Sequence, residues 1–170
     1  MTLPEEFKVL IITLSDRASR GEYEDLSGPA IKKYLTDFFR SVKWRYSVKS
    51  ELIPDDAGKL RLLLTDAAEN FNIVFTTGGT GIGPRDITPD TVRPLLSKEI
   101  PGIMEFIRCK YGMSKPQALL SRSVAGIAGK ALIYTLPGSV KAVEEYMTEI
   151  LKTLEHVVLM QYSIDLHGKC

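Results

Sequence analysis

The chain has 170 residues, of which 44% are hydrophobic and 25% charged, and its formal net charge is +1. This length suits a single domain over residues 1–170. The scattered charges give no general attraction for nucleic acid or an anionic membrane, and no apolar run approaches the ~20 residues that cross a bilayer. Two cysteines, Cys109 and Cys170, are too few for a disulfide framework or a zinc site, so we expect a cytoplasmic protein.

Apolar runs alternate with amphipathic segments along the chain. The runs predict strands over residues 9–14, 44–52, 73–77 and 131–136, and the second of these alternates so that one face is nearer solvent. Between and after the strands, helices are predicted to begin at Ser27, at Asp55 or Asp56, at Thr88, at Pro101 and at Ser139. Pro94 should interrupt the helix that begins at Thr88.

Strand and helix alternation predicts an α/β fold with a mainly parallel sheet covered by helices on both sides. In such sheets ligands bind beyond the carboxyl ends of the strands. Four polar segments follow the four predicted strands: residues 15–17, Asp55, residues 78–86 and residues 137–139. We therefore expect these segments to meet along one edge of the sheet.

The segment after the third strand, residues 76–86, reads TTGGTGIGPRD and has four glycines within six residues. A glycine-rich turn lets backbone N–H groups converge on an anion, and the carboxylate of Asp86 suggests an accompanying metal ion. The segment is not a Walker A loop, because Gly83 is followed by Pro84 and Arg85 rather than by Lys-Ser/Thr. It also lacks the third glycine of the dinucleotide-binding fingerprint.

Simpler structural roles stay open for several residues. Asp55 or Asp56 would serve as a helix cap, Asp16 would stabilise its own turn, and Asp90 would favour its helix dipole. Arg85 would pair with Asp86, point to solvent or contact a substrate. The Ser121-Arg122 pair suits an ordinary loop as well as a phosphate or a polar heterocycle. Structural roles are also expected for His156, His167 and the loop around Tyr23.

Taken together, residues 76–81 and 84–90 resemble the signature of the Mog/MoaB molybdenum-cofactor biosynthesis family. Supporting motifs follow in the order of that family, at residues 15–19, 53–55, 101–102, 120–122 and 136–139. The resemblance implies a three-layer α/β/α sandwich with a mostly parallel central sheet, assembled as a homotrimer.

Within this family the chain most resembles the molybdopterin adenylyltransferases, which implies a Mg²⁺-dependent reaction of ATP with molybdopterin that gives adenylyl-molybdopterin and pyrophosphate. The resemblance assigns catalysis and metal binding to Asp55 and Asp86. It assigns phosphate or nucleotide binding to Gly78, Gly79, Thr80, Gly81, Pro137 and Gly138, and molybdopterin binding to Asp16, Asp90, Ser121 and Arg122.

Two alternatives to an adenylyltransferase remain at this point. In the first, the chain is a MoaB-like paralogue that binds molybdopterin without turnover. In the second, it is chiefly an oligomeric scaffold. An active enzyme would pass its product to a partner, which the resemblance identifies as a molybdenum insertase.

Overall fold

The computed structural model describes residues 2–164, so His167 and Cys170 lie outside the described residues. Six strands and six α-helices form this part of the chain. The strands are β1 (Phe7–Leu14), β2 (Tyr46–Ile53), β3 (Ile73–Thr77), β4 (Lys98–Glu99), β5 (Ala125–Ala128) and β6 (Ala131–Leu136). The helices are α1 (Asp16–Ser19), α2 (Ser27–Val42), α3 (Ala57–Asn70), α4 (Thr88–Val92), α5 (Pro101–Gly112) and α6 (Val140–Gln161), with 3-10 turns at Arg93–Leu95 and Pro116–Leu120.

One sheet contains all six strands, in the order β2-β1-β3-β6-β5-β4. The first four strands in that order are parallel, whereas β5 runs antiparallel to both of its neighbours. The carboxyl ends of β1, β2, β3 and β6 therefore share one edge of the sheet, as the sequence predicts.

Successive side chains of the central strands enter two separate cores, one on each face of the sheet. On one face, Val9, Ile11 and Phe75 pack against α2, α5 and α6. On the other face, Ile12 and Val74 pack against α3 and α4. The predicted three-layer α/β/α sandwich is confirmed. No helix within residues 2–164 has the length and apolar character needed to cross a membrane.

The sheet differs from the prediction at its two ends. The predicted strand 44–52 is Tyr46–Ile53, at one edge of the sheet, where Leu52 is exposed and Ile53 is buried instead. At the other edge, β4 and β5 were not predicted, because one has two residues and the other, AGIA, consists mostly of small residues.

Helix starts depend on which polar side chain accepts from the first free N–H groups. Ser139 caps α6 as predicted, and its hydroxyl oxygen accepts from Ala142 N at 3.2 Å. Helices α2 and α4 begin at Ser27 and Thr88 as predicted, but neither hydroxyl caps its helix. Asp25 Oδ1 accepts from the N–H groups of Ser27 and Gly28, and the Thr88 hydroxyl donates to Gly78 O.

A buried carboxylate joins α5 to α6. The side chain of Glu149 is only 2% exposed, and it accepts from Lys110 Nζ at 2.7 Å and from Lys152 Nζ at 2.8 Å. The hydrogen bond from Lys110, followed by that from Lys152, lowers the pKa of Glu149. Replacing the carboxylate by an amide would leave one of the two ammonium groups facing an NH2 donor and would remove the charge that both contact.

We expect Glu149→Gln to lower the free energy of unfolding at neutral pH by about 1–3 kcal/mol. The cost stays below that of breaking a fully buried pair, because both lysines remain in contact with water. A carboxyl group with a lowered pKa stabilises the fold above its unfolded-state pKa and loses that contribution as pH falls. Urea unfolding at pH 7 and below pH 4 should therefore show a smaller difference between variant and parent at the lower pH. An equal difference at both pH values would contradict this account of Glu149.

Candidate active site

A cleft of about 710 Å³ lies at the carboxyl edge of the parallel strands. Its walls come from all four segments that the sequence predicts to converge there, together with the 3-10 turn before Ser121 and the first two turns of α6. The polar residues that line it are Ser15, Tyr23, Asp55, Thr80, Arg85, Asp86, Lys115, Gln117, Ser121, Ser139, Lys141, Glu145 and Tyr146. Backbone of Gly78, Gly79, Gly81, Pro137 and Gly138 also lines the cleft.

The glycine loop, residues 78–83, is held by hydrogen bonds to four consecutive carbonyl groups. Thr88 donates twice: its hydroxyl to Gly78 O at 2.9 Å and its N–H to Gly79 O at 3.0 Å. Arg122 also donates twice: its N–H to Thr80 O at 2.9 Å and its Nε to Gly81 O at 2.6 Å. Neither Thr88 nor Arg122 lines the cleft.

This arrangement decides where the N–H groups of the loop point. In a trans peptide the N–H is directed opposite to the C=O, and the described residues contain no cis peptide. The N–H groups of residues 79–82 are therefore directed away from the anchoring groups of Thr88 and Arg122, and we infer that they face the cleft, which these residues line. Within residues 2–164 none of these four N–H groups has a protein acceptor. Successive free N–H groups around a concave turn bind an anion.

Asp86 closes the loop against its own backbone. Its Oδ2 accepts from Gly83 N at 2.8 Å. A Cβ atom at Gly81 would lie only 2.7 Å from the same oxygen, so the absence of a side chain lets the carboxylate approach the turn. The carboxylate consequently lies beside the free N–H groups at the wall of the cleft.

Asp55 is free to line the cleft because the next residue, Asp56, caps α3. Asp56 Oδ1 accepts from Lys59 N at 2.9 Å, which decides between the two capping candidates. Asp55 instead forms a reciprocal pair with Asp16: Asp16 N donates to Asp55 Oδ2 at 3.1 Å, and Asp55 N donates to Asp16 Oδ1 at 3.0 Å. Burial raises the pKa of Asp55, and the carboxylates of Asp16 and Asp86 raise it further.

Arg85 pairs with Asp16 and not with Asp86, its neighbour in sequence. Its Nε and Nη2 lie 3.0 and 2.7 Å from Asp16 Oδ2. This contact is the main cause of a lowered pKa for Asp16. Asp16 is therefore already engaged by Arg85 and by the backbone of Asp55, and it stands behind the cleft rather than among its lining residues.

The structure also places Arg122 and Asp90 outside the lining of the cleft. All three guanidinium nitrogens of Arg122 are bonded to protein: Nε to the loop, Nη2 to Asp86 O at 2.6 Å, and Nη1 to both carboxylate oxygens of Asp90 at 2.8 Å. Their contact with molybdopterin stays a prediction, and the cleft geometry gives it no support.

Ser121 also lines the cleft, next to Arg122, whose N–H donates to Thr80 O of the glycine loop. The Ser121 hydroxyl accepts from Tyr146 Oη at 3.0 Å and lies 2.9 Å from Ser123 Oγ. Nearby, Lys115 pairs with Glu145, and that contact raises the pKa of Lys115. Lys141 also lines the cleft, is exposed and has no ion-pair partner among the described residues.

The sequence did not predict that Lys115 and Lys141 belong to the site. It also did not predict this for Tyr23, which was placed in a loop. Tyr23 Oη lies 2.7 Å from Ser15 Oγ, and Arg17 stacks on its ring at 5.0 Å. Lys141 carries a weak signal that was available: a cation in the first turn of a long helix opposes the helix dipole, so a nearby anion would explain it.

Gly78 offers a direct test of how tightly the loop is fixed. Its φ is +101°, and a Cβ atom there would overlap the Leu14 carbonyl oxygen. We expect Gly78→Ala to destabilise the fold by about 1–3 kcal/mol, because the overlap is with rigid backbone. Gly102→Ala is the matched control, since Gly102 lies in α5 with no atom near its missing Cβ, and it should be neutral or stabilising. Equal thermal stability of the two variants would contradict the described loop.

Comparison with known proteins identifies the family to which the chain belongs. A family model described as a probable molybdopterin binding domain matches residues 10–156. Molybdopterin adenylyltransferase of Helicobacter pylori (strain J99) is 35% identical over 151 residues, which cover 87% of this chain and 84% of that protein. The crystal structure of the molybdopterin biosynthesis enzyme MoaB from Thermus thermophilus superimposes with a TM-score of 0.82 at 37% identity, covering 92% of this chain and 97% of the other.

A further relative is much longer. Gephyrin of Dictyostelium discoideum is 35% identical over 161 residues, which cover 91% of this chain but only 22% of gephyrin. The match thus concerns about one fifth of that protein.

The chain belongs to the molybdenum-cofactor biosynthesis family that contains the Mog and MoaB proteins, and the resemblance noted in its sequence is confirmed.

Proposed function

We propose that this protein transfers the adenylyl group of ATP to the terminal phosphate of molybdopterin and releases pyrophosphate. The observation that carries the proposal is the row of free N–H groups at residues 79–82, which faces the cleft beside the carboxylate of Asp86. The relatives named molybdopterin adenylyltransferase, which match most of this chain, support the same reaction.

The reaction needs positioning and charge neutralisation more than proton transfer. An oxygen of the molybdopterin phosphate attacks the α-phosphorus of ATP, and the bond from that phosphorus to the oxygen bridging to the β-phosphate breaks. The electron pair leaves with pyrophosphate. Because the second pKa of a phosphomonoester is about 6, the nucleophile is already ionised near neutral pH. No general base is required.

The glycine loop supplies donors for the polyphosphate of ATP. Its N–H groups are fixed before any ligand arrives, since the carbonyls of the same peptides are bonded to Thr88 and Arg122. Donors that need no reorganisation stabilise charge on the departing pyrophosphate more effectively than mobile ones. They also hold the α-phosphorus in line with the attacking oxygen.

Asp55 and Asp86 fit a magnesium ion. Both are carboxylates, the oxygen ligands that Mg²⁺ prefers, and no cluster of three or more His, Cys, Asp or Glu side chains in the described part of the chain could hold a metal ion by itself. Two carboxylates suit Mg²⁺, which usually takes its remaining ligands from water and substrate phosphates. When bound there, Mg²⁺ would neutralise the triphosphate. Since burial raises the pKa of Asp55, this ligand would weaken as pH falls toward that pKa.

Ser121, Lys115 and Lys141 would hold the second substrate. All three line the cleft, and Lys141 presents a positive charge with no ion-pair partner among the described residues, to which the phosphate of molybdopterin would bind.

One assay tests the reaction directly. Purified protein with ATP, Mg²⁺ and molybdopterin should release pyrophosphate and form adenylyl-molybdopterin in equal amounts. Binding of molybdopterin without pyrophosphate release would favour the alternative of a non-catalytic paralogue, and absence of pterin binding would leave a scaffold.

Asp86→Asn should reduce adenylyl transfer by about a hundredfold or more. Asparagine keeps the shape and one oxygen but removes the charge proposed to hold the cation. Raising the Mg²⁺ concentration should recover part of the activity, whereas a lost proton acceptor would not respond. Asp37→Asn is a matched control, because Asp37 is an exposed residue of α2 that does not line the cleft. Pyrophosphate release by Asp86→Asn at the parental rate under limiting Mg²⁺ would defeat the assignment.

Ser121→Ala should weaken molybdopterin binding by about 0.5–1.5 kcal/mol, or up to ~3 if the partner is charged, and leave nucleotide binding intact. Tyr146→Phe is the comparison variant, since it removes the donor to Ser121 while keeping the serine hydroxyl. Titration with molybdopterin should show the larger loss for the serine variant. Equal losses would mean that Ser121 acts through Tyr146, and no loss in either would remove Ser121 from the site.

The homotrimer, the cytoplasmic location and transfer of the product to a molybdenum insertase stay predictions from the sequence. So do the individual roles of Asp16, Pro137 and Gly138. Of these three, Pro137 and Gly138 line the cleft, where Pro137 O accepts from the Thr77 hydroxyl at 3.0 Å.

A further inference from the structure

We propose that Arg122 is the positioning residue of the phosphate loop: it aims the N–H groups of Gly81 and Ile82 at the polyphosphate of the nucleotide and does not bind the pterin. This inference rests on the proposed function, since it assigns the loop to the triphosphate.

Arg122 reaches the glycine loop with both its side chain and its backbone. Arg122 is 41 residues from Gly81 in sequence, yet its Nε donates to Gly81 O at 2.6 Å and its backbone N–H donates to Thr80 O at 2.9 Å. These two carbonyls belong to the peptides that carry the N–H groups of Gly81 and Ile82. One residue thus fixes the orientation of both peptide planes.

Arg122 also contacts the backbone of Asp86. Arg122 Nη2 donates to the carbonyl oxygen of Asp86 at 2.6 Å. The same guanidinium therefore holds the free N–H groups and the backbone of the carboxylate proposed to hold the cation. A planar guanidinium has donors in a fixed fork, so these two parts of the site keep one relative position.

The guanidinium of Arg122 has no nitrogen left to bind a ligand. Nη1 is bonded to both oxygens of Asp90, and the whole pair lies outside the lining of the cleft. Asp90 orients the guanidinium from the side opposite the loop. With all three nitrogens engaged, a pterin could contact Arg122 only after these bonds broke.

Arg122→Lys tests the inference, because lysine keeps the charge but has one nitrogen in place of the fork. We expect the affinity for a non-hydrolysable ATP analogue to fall about ten- to hundredfold, the size of losing a charged hydrogen bond. Affinities for adenosine and for molybdopterin should stay at the parental values.

Two further variants keep the test decisive. Asp90→Asn leaves every bond to the loop in place, so it should weaken binding of the analogue in the same direction but less, even if Arg122→Lys fails to fold. Arg93→Lys is the matched control, since the exposed Arg93 contacts Glu99 and not the loop. It should bind all three ligands like the parent.

The outcomes separate this inference from the proposed function. If the parent does not bind the ATP analogue, the proposed function fails. If the parent binds it and Arg122→Lys binds it equally well, only the positioning role fails. A loss of molybdopterin affinity with unchanged affinity for the analogue would restore Arg122 to the pterin site, and equal losses for all ligands would reduce it to a general structural role.

Discussion

Four hydrogen bonds from Thr88 and Arg122 to the carbonyls of residues 78–81 determine the character of the cleft. Because each peptide is planar, anchoring its carbonyl on one side directs its N–H to the other. The loop thereby becomes a fixed set of donors before any ligand is present. Glycines permit the required backbone path, and the two anchors keep that path from relaxing.

Charged groups of both signs line the cleft. The carboxylates of Asp55 and Asp86 lie beside the glycine loop, and the ammonium groups of Lys115 and Lys141 come from the turn before Ser121 and from the last helix. The carboxylates suit a nucleotide with its cation, and the ammonium groups suit an anionic pterin. The two reciprocal hydrogen bonds between Asp16 and Asp55 hold the carboxyl end of β2 beside the carboxyl end of β1. The sheet therefore fixes the position of Asp55 in the cleft.

Sequence patterns predicted the part of the fold that depends on continuous local signals. Three of the four parallel strands are apolar runs and the fourth, β2, alternates, and their order along the chain was sufficient to bring Asp55 and the glycine loop to one edge. The short strands β4 and β5 were missed because neither has enough residues to show a period. The sequence left the partner of Arg85 open, and the structure pairs it with Asp16, 69 residues away in sequence. Contacts of such separation depend on the completed fold and leave no local pattern.

The role of Arg122 could not be predicted from the sequence for the same reason. Its sequence neighbours indicate a polar loop, and a guanidinium beside a hydroxyl suits an anion, so the sequence could not distinguish a ligand contact from a contact with the protein's own carbonyls. The decisive fact is the approach of residues 121–123 to the glycine loop, which exists only after the sheet has formed.

A crystal structure with Mg²⁺ and a non-hydrolysable ATP analogue would test the central claim most directly. The account predicts phosphate oxygens within hydrogen-bond distance of the N–H groups of residues 79–82, with the cation between those phosphates and the carboxylates of Asp55 and Asp86. Polyphosphate bound instead at Lys115 and Lys141, with no phosphate contact to the glycine loop, would contradict it.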